Sequence, residues 1–313
     1  MALTRVHHVS QIGPDFEVAQ NVYANGMGMR VDHHRSPLPD GRPGDIDSTR
    51  SIEFPIGEMF IEVSRPLSPD SEAGRFLEER NGVGGMHHVA FATTDIEADT
   101  KDLLAKGLRF LPRPEGSTAP LYFDPETTMG LLIELIAEDD YHAHPFYRGD
   151  GLVTGMAHVG IAARDEKEVK DLFMGKFGMG IIDRPEGTGG AGTPISERGD
   201  APEREADDDV TGIEFPFGGT IIEISVPNDD VSGTARFQAS RGGNLGAAWH
   251  HICPWAPNVH AFMDRGNAAG MRQLGTIPPR EEREEVVGWF HPRSALGTLI
   301  EVWNIPPREF GPR

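Results

Sequence analysis

Two stretches of the chain nearly repeat each other. Ile52–Val63 reads IEFPIGEMFIEV, and Ile213–Ile224 reads IEFPFGGTIIEI, 161 residues later. Seven of the twelve paired positions are identical. Self-similarity over so long a period indicates that one structural unit occurs more than once.

A short β-like segment with a histidine occurs four times. The copies are VHHVSQI at 6–12, MHHVAFA at 86–92, MAHVGIA at 156–162 and WHHICPW at 249–255. An apolar segment with a glutamate closes each unit, as MFIEV, LLIEL, TIIEI or TLIEV. The recurring residues are His8, His88, His158 and His251, with Glu62, Glu134, Glu223 and Glu301.

A segment with helical spacing of apolar residues follows each histidine. Asp95, Asp165 and Asn258 are suited to cap three of these helices, and Pro14 and Asp15 lead into the other. Each unit therefore predicts a strand, a helix and further strands, over about 1–68, 80–138, 152–228 and 245–304.

The offsets between equivalent residues indicate that a pair of units was duplicated. We predict two domains, 1–145 and 151–313, joined near residue 150 by DDYHAHPFYRGDG at 139–151. The third unit carries an insertion at 184–210, rich in Gly, Pro, Asp and Glu. This composition predicts a mobile loop that could cover a site.

The composition bounds the function. The chain has 313 residues and a net charge of -20, which disfavours nucleic acid and anionic membranes as partners. A single cysteine, Cys253, allows no internal disulfide. No signal peptide and no apolar run of ~20 residues are evident, so we expect a cytoplasmic protein without a membrane span.

The repeated glutamates stand where an isolated charge is costly. In LLIEL, Glu134 lies among leucines and isoleucines, and burying a lone carboxylate costs several kcal/mol. Four repetitions of this placement, in register with four histidines, predict a shared polar interior. Two imidazoles and two carboxylates suit a borderline divalent ion of six-coordinate type, with two positions left for water or substrate.

Strand alternation predicts which neighbours share the face of these histidines. The residues two positions later are all small, which fits either a concave face that holds a ligand or close helix packing: Ser10, Ala90, Gly160 and Cys253. By the same alternation, His7, His87 and His250 should point to the opposite face. Pro254, within the fourth repeat strand, predicts a distortion of the second-half site.

The chain resembles the vicinal oxygen chelate superfamily, which includes glyoxalase I, methylmalonyl-CoA epimerase, extradiol dioxygenases and bleomycin-resistance proteins. The stretches FLEERNGVGGMHHVAFATTDIEADTKDLLAKG and GWFHPRSALGTLIEV are similar to segments of methylmalonyl-CoA epimerase. The resemblance covers almost the whole chain. It implies an α+β fold in which four βαβββ modules form two glyoxalase-like domains with curved mixed sheets around metal sites.

Carried over residue by residue, the resemblance implies two sites. The first-half site is His8, Glu62, His88 and Glu134, and the second-half site is His158, Glu223, His251 and Glu301. This set matches the glyoxalase I pattern, whereas the epimerases often have glutamine in place of Glu62 and Glu223. Adjacent modules could share each site, or the halves could exchange modules.

Four functions are compatible with these residues. The first is a metal-dependent epimerase or isomerase using Co, Mn, Ni or Zn, in which a glutamate takes a proton alpha to a carbonyl and the metal stabilises the enolate. Glu134 and Glu301 are the preferred bases, with Glu62 and Glu223 as their partners on the opposite side. Glu53 and Glu214 are further candidates, although a solvent-facing position is the simpler interpretation.

The second function is an extradiol-type ring-cleaving dioxygenase using Fe(II), against which the fourth ligand argues. The remaining ones are a glyoxalase-like lyase and a non-catalytic small-molecule binder. The expected partner is a small substrate with vicinal oxygens. The tandem chain is expected to be a monomer that forms its own pseudo-dimer, or a homodimer.

Overall fold

The computed structural model describes residues 2–113, 120–182, 210–280 and 286–304. The strands of the first half are β1 (Leu3–Ile12), β2 (Arg42–Pro43), β3 (Thr49–Ile56), β4 (Met59–Pro66), β5 (Gly85–Thr93), β6 (Leu121–Tyr122) and β7 (Ile133–Ala137). Those of the second half are β8 (Gly155–Ala163), β9 (Val210–Phe217), β10 (Thr220–Pro227), β11 (Ala247–Trp255), β12 (Gln273–Leu274), β13 (Val287–Phe290) and β14 (Leu299–Trp303).

Each half forms one curled mixed sheet of seven strands within the described residues. The orders are β2-β3-β4-β1-β5-β7-β6 and β12-β13-β14-β11-β8-β10-β9. In the first sheet β1 is parallel to β4 and antiparallel to β5, and in the second β8 is parallel to β10 and antiparallel to β11. Adjacent modules therefore share a sheet, and the predicted α+β class is confirmed.

Six α-helices are described. They are α1 (Phe16–Gln20), α2 (Glu72–Glu79), α3 (Ile96–Ala105), α4 (Glu166–Lys170), α5 (Gly233–Arg241) and α6 (Val259–Ala268). Single π-helical turns, Asn21–Gly26 and Asp171–Lys176, continue α1 and α4. Short 3-10 turns lie at Pro125–Thr127, Pro145–Arg148 and Pro292–Ser294.

The predicted N-caps are confirmed at the repeated helices. The side chains of Asp95, Asp165 and Asn258 accept hydrogen bonds from the backbone N–H three residues on, and Asp15 does the same for α1. Each cap satisfies one of the amide groups that the first turn of a helix leaves unpaired. Apart from Val210, which begins β9, the predicted loop at 184–210 lies outside the described residues.

The two halves share one apolar core. Phe91 of β5 meets Phe177 and Phe217 of the second half in edge-to-face contacts, with ring centroids 5.5 and 5.0 Å apart. Such aromatic pairs add to the free energy gained by burial. Trp249 Nε1 also donates across the junction to the carbonyl oxygen of Leu132, at 3.0 Å. Among the described residues, no helix is long and apolar enough to cross a membrane.

Candidate metal centres and the cavity between the halves

Strand register brings the donors of each half to one face of its sheet. In the first half, Ser10 of β1 pairs with Glu62 on one side and with His88 on the other. Ala90 of β5 pairs likewise with His8 and Glu134. The small residues thus lie between the donors. This placement favours the concave face over the alternative of close helix packing.

All four donors converge in the second-half site. His158 Nε2 lies 3.1 Å from an oxygen of Glu223, 3.1 Å from one of Glu301 and 2.9 Å from His251 Nε2. His251 Nε2 lies 3.4 and 3.3 Å from the same two oxygens. The four side chains are buried, and their donor atoms lie within 4.8 Å of one another. The imidazoles come from inner strands and the carboxylates from the strands outside them.

These separations fit a single bound cation. Ligand atoms at ~2.0–2.2 Å from one ion are about 3 Å apart when the angle between them is near 90°. Without an ion, two imidazole nitrogens and two carboxylate oxygens would crowd one buried point. The second-half residues therefore fit a divalent metal ion.

Gly160 makes room for one of these imidazoles. It lies beside His251 in the pairing of β8 with β11. A Cβ at this position would lie 2.0 Å from Cε1 and 2.4 Å from Nε2 of His251, a distance that real contacts do not reach. Only glycine therefore permits this imidazole position. Pro254 lies at a strand irregularity just beyond Cys253, and the donors nevertheless converge.

The donors of the first-half site fall into two groups that share His8. His8, Asp45 and Glu62 form one group, and His8, His88 and Glu134 form the other. In the second of these, His8 Nε2 and His88 Nε2 lie 3.4 and 3.2 Å from Glu134 Oε2. Among the described residues, no hydrogen-bond donor with suitable geometry reaches this buried oxygen. A buried carboxylate oxygen without a donor is costly. This group therefore also fits a cation, with one carboxylate fewer.

Arg42 holds the fourth residue of that half. Its guanidinium forms a very short ion pair with Glu62, and it also pairs with Glu53 and Asp45, at 2.8 Å each. The other oxygen of Glu62 accepts from Ser10 Oγ at 3.0 Å. Glu62 is therefore satisfied by the protein itself. The sequence analysis missed Arg42, which no repeated motif marks.

The electrostatics of the two halves differ. Burial disfavours the charged forms in the second half, but hydrogen bonds to Glu223 and Glu301 outweigh it and raise the pKa of His251 to about 9. Burial likewise opposes ionisation of Glu301, but hydrogen bonds from His158 and His251 lower its pKa to about 2. Trp303 Nε1 donates to the other oxygen of Glu301 at 2.6 Å. Glu301 is thus a fixed carboxylate.

In the first half, burial is the largest influence on the pKa values of the site residues. It raises the pKa of Glu62 to about 8, with Arg42 opposing, and it raises the pKa of Glu134 to about 8 together with the charge of Asp45. Burial also lowers the pKa of His88 to about 3. Without an ion, the group of His8, His88 and Glu134 is therefore largely neutral, and Glu134 must lose its proton to hold a metal.

The prediction that His7, His87 and His250 face away from the site was wrong. Irregularities in the strand register place an extra residue at each of these positions. A β-bulge interrupts strict alternation. The Nδ1 atoms of His7, His87 and His250 consequently lie 2.9, 2.9 and 3.1 Å from Nδ1 of the following histidine. Such contacts orient an imidazole whose Nε2 is free to bind metal.

The interpretation of Glu53 and Glu214 as solvent-facing was also wrong. Only 3% of Glu53 and 4% of Glu214 is exposed. Strand pairing places them directly opposite Glu62 and Glu223. They therefore belong to the polar interior of each sheet.

A cavity of about 620 Å³ opens between the two halves. This volume lies in the range typical of small-molecule sites. Its described lining includes Glu223, His251 and Glu301 of the second-half site, together with Trp289. None of the four first-half residues is in this described lining, although the neighbouring His87 is. Sequence reasoning missed this cavity because it depends on how the halves pack.

The chain is similar to proteins of one superfamily. The family described as Glyoxalase/Bleomycin resistance protein/Dioxygenase superfamily matches residues 7–123. Mitochondrial methylmalonyl-CoA epimerase of Bos taurus is 31% identical over 137 residues, which cover 42% of this chain and 74% of that protein. The chain therefore belongs to this superfamily, the vicinal oxygen chelate proteins, as the sequence predicted.

Other relatives include both epimerase and dioxygenase names. The ethylmalonyl-CoA/methylmalonyl-CoA epimerase of Cereibacter sphaeroides is 32% identical over 136 residues, covering 42% of this chain and 96% of that protein. A mutant of 4-hydroxymandelate synthase from Streptomyces coelicolor has a TM-score of 0.63 at 15% identity, covering 99% of this chain and 95% of that chain. A xylose isomerase-like TIM barrel/4-hydroxyphenylpyruvate dioxygenase fusion protein has a TM-score of 0.59 at 13% identity, covering 99% and 51%. These two structures show likeness of fold alone.

Proposed function

We propose that the protein is a divalent-metal-dependent epimerase or isomerase whose catalytic centre is the second-half site. The observation that carries the proposal is the convergence of four buried donors, three of which (Glu223, His251 and Glu301) line the 620 Å³ cavity. The likeness to epimerases named for acyl-CoA substrates supports a carbonyl compound with vicinal oxygens as the substrate.

The ligands we assign are His158, Glu223, His251 and Glu301, and a bound divalent ion would act as a Lewis acid toward the substrate carbonyl. Glu301 is the anchored ligand, because Trp303 Nε1 donates to its oxygen that does not face the imidazoles. Glu223 has the fewer partners and lines the cavity. We therefore assign proton removal and return to Glu223, in preference to the base first expected, Glu301.

Solvent exchange tests this assignment. Methylmalonyl-CoA, incubated with metal-loaded protein in D2O, should gain deuterium at the carbon alpha to the thioester, as followed by mass spectrometry. We expect Glu223→Gln to slow this exchange by at least ~100-fold, the effect typical of a lost general base. Glu62→Gln, the equivalent change in the other half, should leave most of the exchange. Loss of exchange in Glu62→Gln but not in Glu223→Gln would place the chemistry in the first half.

A second candidate function rests on the first-half site. With Glu62 held by Arg42, the remaining group of His8, His88 and Glu134 is the two-histidine, one-carboxylate set of non-haem Fe(II) oxygenases. This observation favours an Fe(II) dioxygenase. Oxygen uptake by the Fe(II)-loaded protein with a catechol, abolished by Glu134→Ala, would support it. If no oxygen is consumed, the isomerase remains the proposed function.

A further inference from the structure

The cavity has a cationic wall that the proposed chemistry does not use. Arg80, just after α2, and Arg241, at the end of α5, both line it. They are 161 residues apart, the offset that also relates Glu62 to Glu223. The duplicated sequences RFLEER at 75–80 and RFQASR at 236–241 therefore present equivalent guanidinium groups to one cavity, one from each half.

Each arginine is accompanied by an equivalent aromatic ring. Phe76 and Phe237 also line the cavity. The Arg80 guanidinium packs over the Phe76 ring, 3.5 Å from its centroid. Phe76 in turn contacts His87, and Phe237 contacts His250, with ring centroids 5.4 and 4.5 Å apart. The arginine wall is thus built onto the histidine pairs of both sites.

The positive charge of this wall is weakly compensated. Among the residues that the structure describes, one carboxylate forms an ion pair with Arg80, that of the exposed Glu79 at 3.8 Å. Within the described part of the chain, Arg241 forms no ion pair. Burial, and then the positive charge of Arg241, lower the pKa of Arg80 to about 10, so it remains charged at neutral pH. A third guanidinium, that of Arg272, lines the same cavity.

We propose that Arg80 and Arg241 form a subsite for a phosphate group of the substrate, remote from its reacting carbon. The inference rests on the proposed function for its place in catalysis. A carboxylate is matched by one guanidinium fork, whereas a phosphate offers three oxygens and up to two charges to forks from two sides. In a chain of net charge -20, a local cluster of arginines is needed to attract such an anion.

Pyrophosphate is the probe for this subsite, and its binding is measured by calorimetry on the full chain. Each of Arg80→Gln and Arg241→Gln should weaken binding about tenfold, the effect of a lost charge-assisted contact. Arg75→Gln and Arg236→Gln are matched controls. They remove the same charge from the same two helices, and neither residue lines the cavity. These controls should stay within about twofold of wild type.

Three outcomes would overturn the inference. Equal weakening in the controls would mean a general charge effect, and equally tight binding of succinate would exclude selectivity for phosphate. Loss of pyrophosphate binding in Glu301→Ala or after chelator treatment would place the anion on the metal. Failure of the proposed function is separable, because pyrophosphate binding should persist in protein that holds no metal. Arg241 is exposed, so its variant tests the subsite even if Arg80→Gln folds poorly.

Discussion

Replacing Gly160 by alanine tests the second-half site with the smallest possible change. The added methyl carbon would lie 2.0, 2.2 and 2.4 Å from Cε1, Nδ1 and Nε2 of His251. Because carbon atoms in contact are ~3.5–4.0 Å apart, the ring must retreat by about 1.5 Å. A metal–ligand distance can depart from its usual value by only ~0.2 Å. The alanine variant should therefore lose His251 as a ligand while the other donors remain.

Competition with a chelator measures this loss as a change in metal affinity. We expect Gly160→Ala to bind metal at least ~100-fold more weakly than wild type, the upper end of effects seen when only the orientation of a ligand is disturbed. Overpacking should also lower the free energy of unfolding by ~1–3 kcal/mol. Gly155→Ala is the control, since it lies on the same strand and its Cβ would meet nothing within 4 Å. A Gly160→Ala affinity within threefold of wild type would refute the geometry argued here.

Three further predictions address the surrounding groups. Arg42→Met removes the partner of buried Glu62, so the free energy of unfolding of the metal-free protein, measured in urea at pH 8, should fall by about 3 kcal/mol. Added metal should restore part of this stability, and equal losses with and without metal would contradict the prediction. Protons compete with the metal for His251, whose pKa is raised to about 9. The metal affinity of the second-half site, measured by calorimetry, should therefore rise about tenfold per pH unit from pH 6 to 9 and then level off. An affinity that does not change with pH would exclude this competition. Trp303→Phe removes the hydrogen bond to Glu301 and should weaken metal binding ~10–100-fold in a chelator assay, whereas unchanged affinity would show that the bond is dispensable.

The repeated features of the chain could be predicted from sequence. The helix caps at Asp95 and Asn258 follow from local chemistry, because the side chain and the amide it satisfies are three residues apart. The position of the small residue Ser10 on the face of His8 follows from strand alternation, because the two residues are two positions apart. These features depend on short separations or on a strict period.

The features that could not be predicted depend on irregularity or on packing. Each bulge at His7, His87 and His250 shifts a strand by one residue, and strict alternation then assigns the wrong face. Adjacent histidines in three of the four repeats were the available signal. Arg42 reaches Glu62 from a separate short strand, so only the folded sheet shows that this carboxylate is already paired.

The arginine wall of the cavity also depends on packing, in this case packing between the two halves. Arg80 and Arg241 stand at the repeat offset, which the sequence displays, but their access to one cavity depends on how the two sheets pack. Duplication thus produced two related polar centres with different surroundings. Glu62 is neutralised by an arginine, whereas Glu223 faces the cavity. This difference is the reason for assigning catalysis to the second half.

The oligomeric state and the limits of the two domains stay predictions.

Metal content per chain tests the central claim most directly. Wild type, Glu301→Ala and Glu134→Ala would be equilibrated at one low free metal concentration and then subjected to elemental analysis. The account predicts that Glu301→Ala loses the tightly bound equivalent, and that Glu134→Ala keeps it. Full metal content in Glu301→Ala, or loss confined to Glu134→Ala, would contradict a metal centre in the second half.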